Sequence, residues 1–241
     1  MNLLKEFALN DKCSYLKDKE QTTHYKIIDG CDAMHCHNLV ERGFRRFGKM
    51  YFRPICGDCD ECQSIKIDAG NFVFSKSHRR VIKKAGHISS YIQSPTLTKA
   101  HINLFKKYHL YMSEKKGWNY QETSAEHYYN SFVSGHGSYG YEVLYYDKDK
   151  LIGVDLIDIL EDGISSIYFY YDPDYIDYSL GKLSLLFQIK HAKSSKKKWI
   201  YLGYYVEECS SLSYKSEYKP YLTLRGRPTE NENGIWELNY T

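Results

Sequence analysis

The residues with the clearest capacity for chemistry lie between Arg42 and Ile67, in the run RGFRRFGKMYFRPICGDCDECQSIKI. Cys56, Cys59 and Cys62 stand there at C-x2-C-x2-C spacing. Such a turn sets successive sulfurs on one side of a tight loop, where they can converge on one soft metal. Arg42, Arg45, Arg46 and Arg53 surround the thiols, and Ser75, Ser77, His78, Arg79, Arg80, Lys83 and Lys84 follow soon after. Clustered cations of this kind make a site for a carboxylate or a phosphate. Each feature has a plainer alternative: a reduced, apolar cysteine turn without metal, and a solvated basic surface.

The whole chain narrows the options. Its 241 residues can bury a real core and suffice for two compact domains or one large one. A net charge of +3 is too mild for a bulk polyanion binder, so any nucleic-acid contact is expected as a local patch. The 25 tyrosines bring ring area and hydroxyls suited to a wet, aromatic-lined cleft, although AT-rich codon usage gives the same excess. The opening MNLLKEFALNDKC has neither a long apolar run nor a small-residue cleavage pattern. The expectation is therefore a cytoplasmic protein without signal peptide or membrane anchor, whose seven cysteines stay reduced.

These residues need elements to hold them. Asp32–Arg46 reads as a short helix stopped at Gly43. Tyr51–Ile55 reads as a strand with Pro54 at an edge or end, and Ser64–Ala69 alternates as a second strand. Ser75–Lys84 reads as a loop entering a basic turn. Pro95–Gly117 is the clearest helix, with Leu97, His101, Leu104, Phe105, Tyr108, Tyr111 and Met112 on one face. A shorter helix covers Ala125–Val133. Tyr141–Tyr146, Lys150–Ile159 and Ser165–Tyr171 are strand-like runs joined by hairpin chemistry at Asp147-Lys148-Asp149 and Glu161-Asp162-Gly163. A helix follows over Leu180–Lys193, then strands at Trp199–Glu207 and Tyr214–Leu224. An antiparallel meander, a helix and a further strand is the order of an N-acetyltransferase-type core. The expected fold is α+β, with a GNAT-like C-terminal unit at 91–241 and a smaller Cys-rich α/β module at 1–90.

Several motifs occur in a specific order: Cys13-Ser-Tyr-Leu16, Arg42-Gly-Phe-Arg-Arg-Phe-Gly48, Tyr51-Phe-Arg-Pro54, the three-cysteine turn and Ser75-Lys-Ser-His-Arg-Arg80. Asp172-Pro173, Ser179-Leu-Gly181, Tyr201-Leu-Gly-Tyr-Tyr205 and Tyr214-Lys215 with Pro220 continue the series. Over roughly residues 12–222 the chain resembles the aminoacyl-tRNA–protein transferases, specifically the bacterial aspartate/glutamate leucyltransferases related to eukaryotic arginyl-tRNA–protein transferases. The resemblance implies transfer of an amino acid, leucine in preference to arginine, from charged tRNA to the N-terminal amine of proteins beginning with Asp or Glu. That marks them for degradation. One departure stands out: the eukaryotic enzymes pair cysteines where this chain has Cys13 and then Leu16.

The implied reaction is aminolysis of an activated ester by an amine of ordinary pKa about 7.7–8.0. Positioning supplies much of such a rate, a weak base and an oxyanion donor supply the rest, and no covalent nucleophile is required. Asp155 and Asp158 lie on opposite faces of one strand, and Asp158 is the one favoured to orient the amine. Tyr168, Tyr201 and Tyr204 are candidates to donate to the oxyanion or leaving hydroxyl, against the alternative of ordinary strand packing. Arg45, Arg46, Arg79 and Arg80 are the choices for reading the acidic side chain, and Lys215 for holding a phosphate. Lys193 and Lys196–Lys198 either meet tRNA phosphates or merely end a helix. Cys13 with Cys56, Cys59 and Cys62 would hold zinc or an iron–sulfur centre. Cys31 and Cys36, beside His35 and His37, read as helix-face residues.

Two rival functions remain. A coenzyme-A-dependent N-acetyltransferase wants several glycines at its pyrophosphate loop, whereas Ser179-Leu-Gly-Lys182 offers one, so no CoA is expected. A non-catalytic, metal-dependent nucleic-acid-binding protein leaves the C-terminal unit without a purpose.

Overall fold

The computed structural model describes residues 1–239. Twelve strands and six α-helices follow in chain order: β1 (Asn2–Lys12), β2 (Glu20–Asp29), α1 (Ala33–Glu41), β3 (Arg45–Phe47), β4 (Met50–Pro54), β5 (Gln63–Asp68), α2 (Lys76–Lys84), β6 (Ser89–Gln93), α3 (Lys99–Lys116) and α4 (Ala125–Tyr128). After a π-helical turn at Tyr129–Val133 come β7 (Gly140–Asp147), β8 (Lys150–Ile159), β9 (Gly163–Tyr171), α5 (Leu180–Ser194), β10 (Trp199–Tyr205), α6 (Ser210–Ser213), β11 (Tyr221–Leu224) and β12 (Trp236–Asn239). A four-stranded sheet runs β1-β2-β4-β3, and an eight-stranded sheet runs β12-β11-β5-β10-β9-β8-β7-β6. The fold is mixed α/β.

The large sheet buries both faces. Ile65, Ile67, Val143, Ile157, Ile164 and Ile200 pack with Leu185, Leu186, Ile189 and Ala192 of α5. On the opposite face Leu144, Val154, Leu156 and Tyr170 meet Leu104, Phe105, Tyr108 and Met112 of α3. The expected stripe is buried at His101, Leu104, Phe105, Tyr108 and Met112, while Leu97 precedes α3 and is exposed, and Gly117 ends the helix in the left-handed region at φ +67. The small sheet and α1 form a third core in which Phe44 and Tyr51 meet Tyr139, Leu160 and Tyr201.

Residues 1–30 form the long β1–β2 hairpin; its charged, exposed outer strand gives little apolar alternation to read. Ser75–Lys84, expected as a loop entering a basic turn, is instead the helix Lys76–Lys84, because Ser75 and His78 close a capping box at its start. The small sheet ends at Pro54, and β5 joins the large sheet between β11 and β10. A division near residue 90 therefore does not separate the two sheets.

Candidate functional site

β9 and β10 are parallel neighbours, whereas the other ladders of the large sheet are antiparallel. Their pairing covers only Gly163–Trp199, Ile164–Ile200 and Ser165–Tyr201, after which the strands part. Beyond Ser165 the β9 backbone has no β10 partner on that side. β10 is irregular between Tyr201 and Tyr204, with Gly203 at φ +76. A Cβ there would sit 2.7 Å from Arg45 Nε, so glycine is what lets Arg45 cross into the gap. Arg45 donates from Nη1 to Ser165 Oγ (3.3 Å) and from Nη2 to the Ser166 carbonyl. Burial pulls its pKa below the ordinary guanidinium value.

On one side of this gap lies a cavity of about 550 Å³ walled by Phe47, Met50, Phe105, His109, Phe132 and Tyr168, among others. Phe132 stacks on Tyr168 at 5.6 Å between centroids, and Phe47 meets both rings edge-on at 5.8 and 6.2 Å. The β3–β4 turn is pressed against the π-helical turn so closely that a Cβ on Gly48 would lie 1.9 Å from the Asn130 carbonyl oxygen. Tyr168 Oη is 2.9 Å from His109 Nε2, and His109 Nδ1 is 2.9 Å from the Phe105 carbonyl oxygen. A carbonyl only accepts, so Nδ1 carries the proton and Nε2 accepts from the tyrosine hydroxyl. Burial lowers the His109 pKa below 6.5 and raises that of Tyr168, leaving both neutral at pH 7.

On the other side Lys215, 7% exposed, donates to the Tyr204 carbonyl at 2.5 Å. Burial, then the positive charge of Arg45, pulls its pKa down to about 7. Tyr15 packs in the cluster of Leu16, Cys62, Tyr204 and Val206, its pKa pushed up to about 12 by burial and opposed by Arg45.

Of the residues expected in the site, Arg45, Tyr168 and Lys215 border the gap. Asp158 does not: it is buried and takes Arg46 Nε at 2.8 Å, with a second contact from Nη2, so both are spent on one internal ion pair. Asp155 faces the other way, as alternation requires, and accepts from Ser184 Oγ (2.5 Å) and Gln188 Nε2 (2.8 Å). Tyr201 donates to Glu41 and Asp162, and Tyr204 to the Gly43 and Phe52 carbonyls. Both are therefore packing tyrosines with occupied hydroxyls. Arg79 and Arg80 are exposed on α2, and Arg79 bonds the Phe74 carbonyl at 2.6 Å. Lys193 and Lys197 hold backbone carbonyls of Ala69, Gly70, Phe72 and of Leu160, Glu161 respectively. Cys36 is buried on α1 as expected. Sequence reading missed His109, Phe47 and Phe132. His109 directly follows a residue of the α3 stripe, and only the tertiary fold brings it to Tyr168.

Cys13, Cys59, Cys62 and Cys209 pack around Leu16, Tyr204 and Val206. Burial pushes the Cys62 thiol up to about 12, with Cys13, Cys56 and Cys59 adding to the effect. Cys13 and Cys56 each accept a backbone N–H at 3.4 Å, from Leu16 and Thr22. The four expected ligands thus gather at one corner, in a donor set that suits zinc or an iron–sulfur centre. Their spacing does not yet suit it. Among the described residues, the only three ligand atoms of His, Cys, Asp or Glu within 4.8 Å of one another belong to His37, Glu41 and Asp162. That trio is already engaged: Glu41 takes Lys66 Nζ (2.6 Å) and Trp236 Nε1 (2.7 Å), and His37 Nε2 lies 3.1 Å from Asp162.

With this geometry in place, the comparisons with known proteins fall on both halves of the chain. The family models described as "Arginine-tRNA-protein transferase, N terminus" and "C terminus" match residues 11–80 and 100–225, which sets the class as tRNA-dependent protein transferases. The proteins named "Aspartate/glutamate leucyltransferase" of Campylobacter jejuni and Helicobacter hepaticus are 49% and 40% identical, covering 95% and 99% of this chain and 97% and 99% of theirs. The chain belongs to the aspartate/glutamate leucyltransferase family. Among solved structures FemX is a distant likeness, at 9% identity and a TM-score of 0.44, covering 76% of this chain and 63% of that one. No helix among the described residues is long and apolar enough to cross a membrane.

Proposed function

We propose that this protein transfers leucine from leucyl-tRNA to the N-terminal amine of proteins beginning with Asp or Glu, marking them for degradation in the cytoplasm. The observation that carries the reading is the gap between β9 and β10, entered by Arg45 and flanked by the Tyr168–His109 pair. The same parting of two parallel strands, within an otherwise antiparallel sheet backed by α5, supports a GNAT-like core from β6 onward.

The ester carbonyl enters the gap, where the β9 backbone beyond Ser165, no longer paired to β10, faces the developing oxyanion. Arg45 is the one of the four expected arginines that reaches this place, and it holds the acidic side chain of the acceptor protein by a charge-assisted contact. That fixes the α-amine close to Tyr168. As the amine nitrogen bonds to the carbonyl carbon, its proton passes to Tyr168 Oη while the tyrosine proton passes to His109 Nε2. Collapse of the tetrahedral adduct breaks the ester C–O bond. The leaving ribose oxygen then takes a proton back by the same route, restoring neutral His109. Cys13, Cys56, Cys59 and Cys62 are proposed to hold zinc or an iron–sulfur centre once drawn together, as a structural element at the end of β10.

The test supplies labelled leucine and, separately, labelled arginine on tRNA to peptides beginning with Asp, Glu or Ala. Leucine transfer to Asp and Glu peptides alone is the expected result; transfer to none, or equally to Ala, overturns the reading.

A further inference from the structure

We propose that the aromatic cavity beside Tyr168 receives the leucyl side chain of the charged tRNA and so sets which amino acid is donated. This rests on the transfer reading above. The cavity opens beside the gap where the ester must lie, because Tyr168 belongs to both: its strand borders the gap and its ring forms a cavity wall. A side chain one bond from the ester's α-carbon is placed to enter it.

The walls favour a branched aliphatic group. Ile27, Met50, Phe47 and Phe105 line the space, and no Asp or Glu does. An arginyl guanidinium would lose its water there without gaining a carboxylate, an uncompensated cost for a buried cation. Lys49 at the lining already holds the Asp29 carboxylate at 2.6 Å, so that carboxylate is not free to receive the guanidinium. Aromatic faces do attract cations, and they stack nucleobases equally well. Here the Tyr168 ring is already engaged: it stacks on Phe132 and on His109, at 5.6 and 6.0 Å. The remaining lining sets Ile27, Met50, Phe47 and Phe105 beside Asn130, Ser131 and Ser134, and its alkyl, thioether and ring carbon packs an alkyl side chain.

The walls are also held in place. The close approach of Gly48 to Asn130 and a Gly135 Cβ position only 2.9 Å from the Gly48 carbonyl carbon lock the β3–β4 turn onto the π-helical turn that carries Phe132. π-Helical turns of this kind occur frequently at functional sites.

The experiment measures binding of 3′-aminoacylamino-3′-deoxyadenosines, whose amide cannot transfer, bearing leucyl, glycyl or arginyl groups. The wild-type protein is expected to bind the leucyl compound at least about tenfold more tightly than the glycyl or arginyl ones. Phe132→Ala and, on the opposite wall, Ile27→Ala should each shrink the leucyl-to-glycyl ratio. With phenylalanyl-tRNA, Phe132→Ala should raise phenylalanine transfer relative to leucine. A wild-type protein without leucyl preference overturns the assignment, as does a ratio that stays at its wild-type value in both variants. Leucyl preference without transfer to any Asp or Glu peptide would instead overturn the function and leave the pocket standing.

Discussion

Arg46 on β3 and Asp158 on β8 form a buried ion pair, their side chains 4% and 1% exposed, that ties the small sheet to the large one. Tyr139 covers the guanidinium, whose carbon lies 5.2 Å from the ring centroid, and Cys36 Sγ is 3.8 Å from Asp158 Oδ2. Removing one member leaves the other charged, dry and unpaired. Asp158→Asn is therefore expected to cost about 3–5 kcal/mol of stability, read from urea unfolding midpoints, while the fraction that remains folded transfers leucine at a near wild-type single-turnover rate. A rate that collapses without a change in stability would return Asp158 to the reaction.

Asp155 makes the opposite kind of site, a buried carboxyl with no cation beside it. Burial raises its pKa to about 7, against which the Ser184 and Gln188 bonds act only in part. Between about pH 4 and 7 the unfolded chain has released this proton and the folded protein has kept it, so stability falls as pH rises through that window. The full effect, roughly 4 kcal/mol from a shift of about three units, is present above pH 7 and absent below pH 4. Asp155→Asn should thus stabilise the protein at pH 8 and leave it unchanged near pH 4, measured by denaturant titration at each pH. Equal stability of variant and wild type at pH 8 would contradict this.

How far such features could be foreseen depended on the reach of the interactions that create them. The α3 stripe at His101, Leu104, Phe105, Tyr108 and Met112, the β7–β8–β9 meander and the face of α5 follow from local periodicity, and each forms close to the expected residues. The gap was only partly legible. Arg45 and Tyr168 stood out by motif, but their meeting depends on Gly203 giving way to a side chain from a strand 158 positions earlier (203 − 45). The partners of Asp158 and Tyr201 were hidden for the same reason: Arg46, Glu41 and Asp162, which satisfy them, come from distant segments. A titratable residue in a strand looks alike in sequence whether it faces a substrate or an ion-pair partner.

The Tyr168–His109 pair makes a kinetic expectation. Tyr168→Phe removes the acceptor oxygen for the amine proton and should lower the single-turnover rate about a hundredfold; His109→Gln, which keeps an acceptor but is not a base, should also lower it. Because burial holds the His109 pKa below 6.5, the wild-type rate from pH 6.5 to 8 should rise with deprotonation of the substrate amine, near pH 7.7–8.0, and show no step from His109. A wild-type rate in Tyr168→Phe would remove the relay from the mechanism.

The measurement that bears most directly on the whole account is the selectivity of Arg45 variants, read as kcat/KM for leucine transfer to Asp-initiated against Asn-initiated peptides. The wild-type protein should strongly prefer Asp. Arg45→Ala should erase most of that preference, and Arg45→Lys should restore little of it, since an ammonium cannot reproduce the guanidinium's fork. An Asp-to-Asn ratio unchanged in Arg45→Ala would place recognition of the acidic residue, and with it the reaction, away from the gap between β9 and β10.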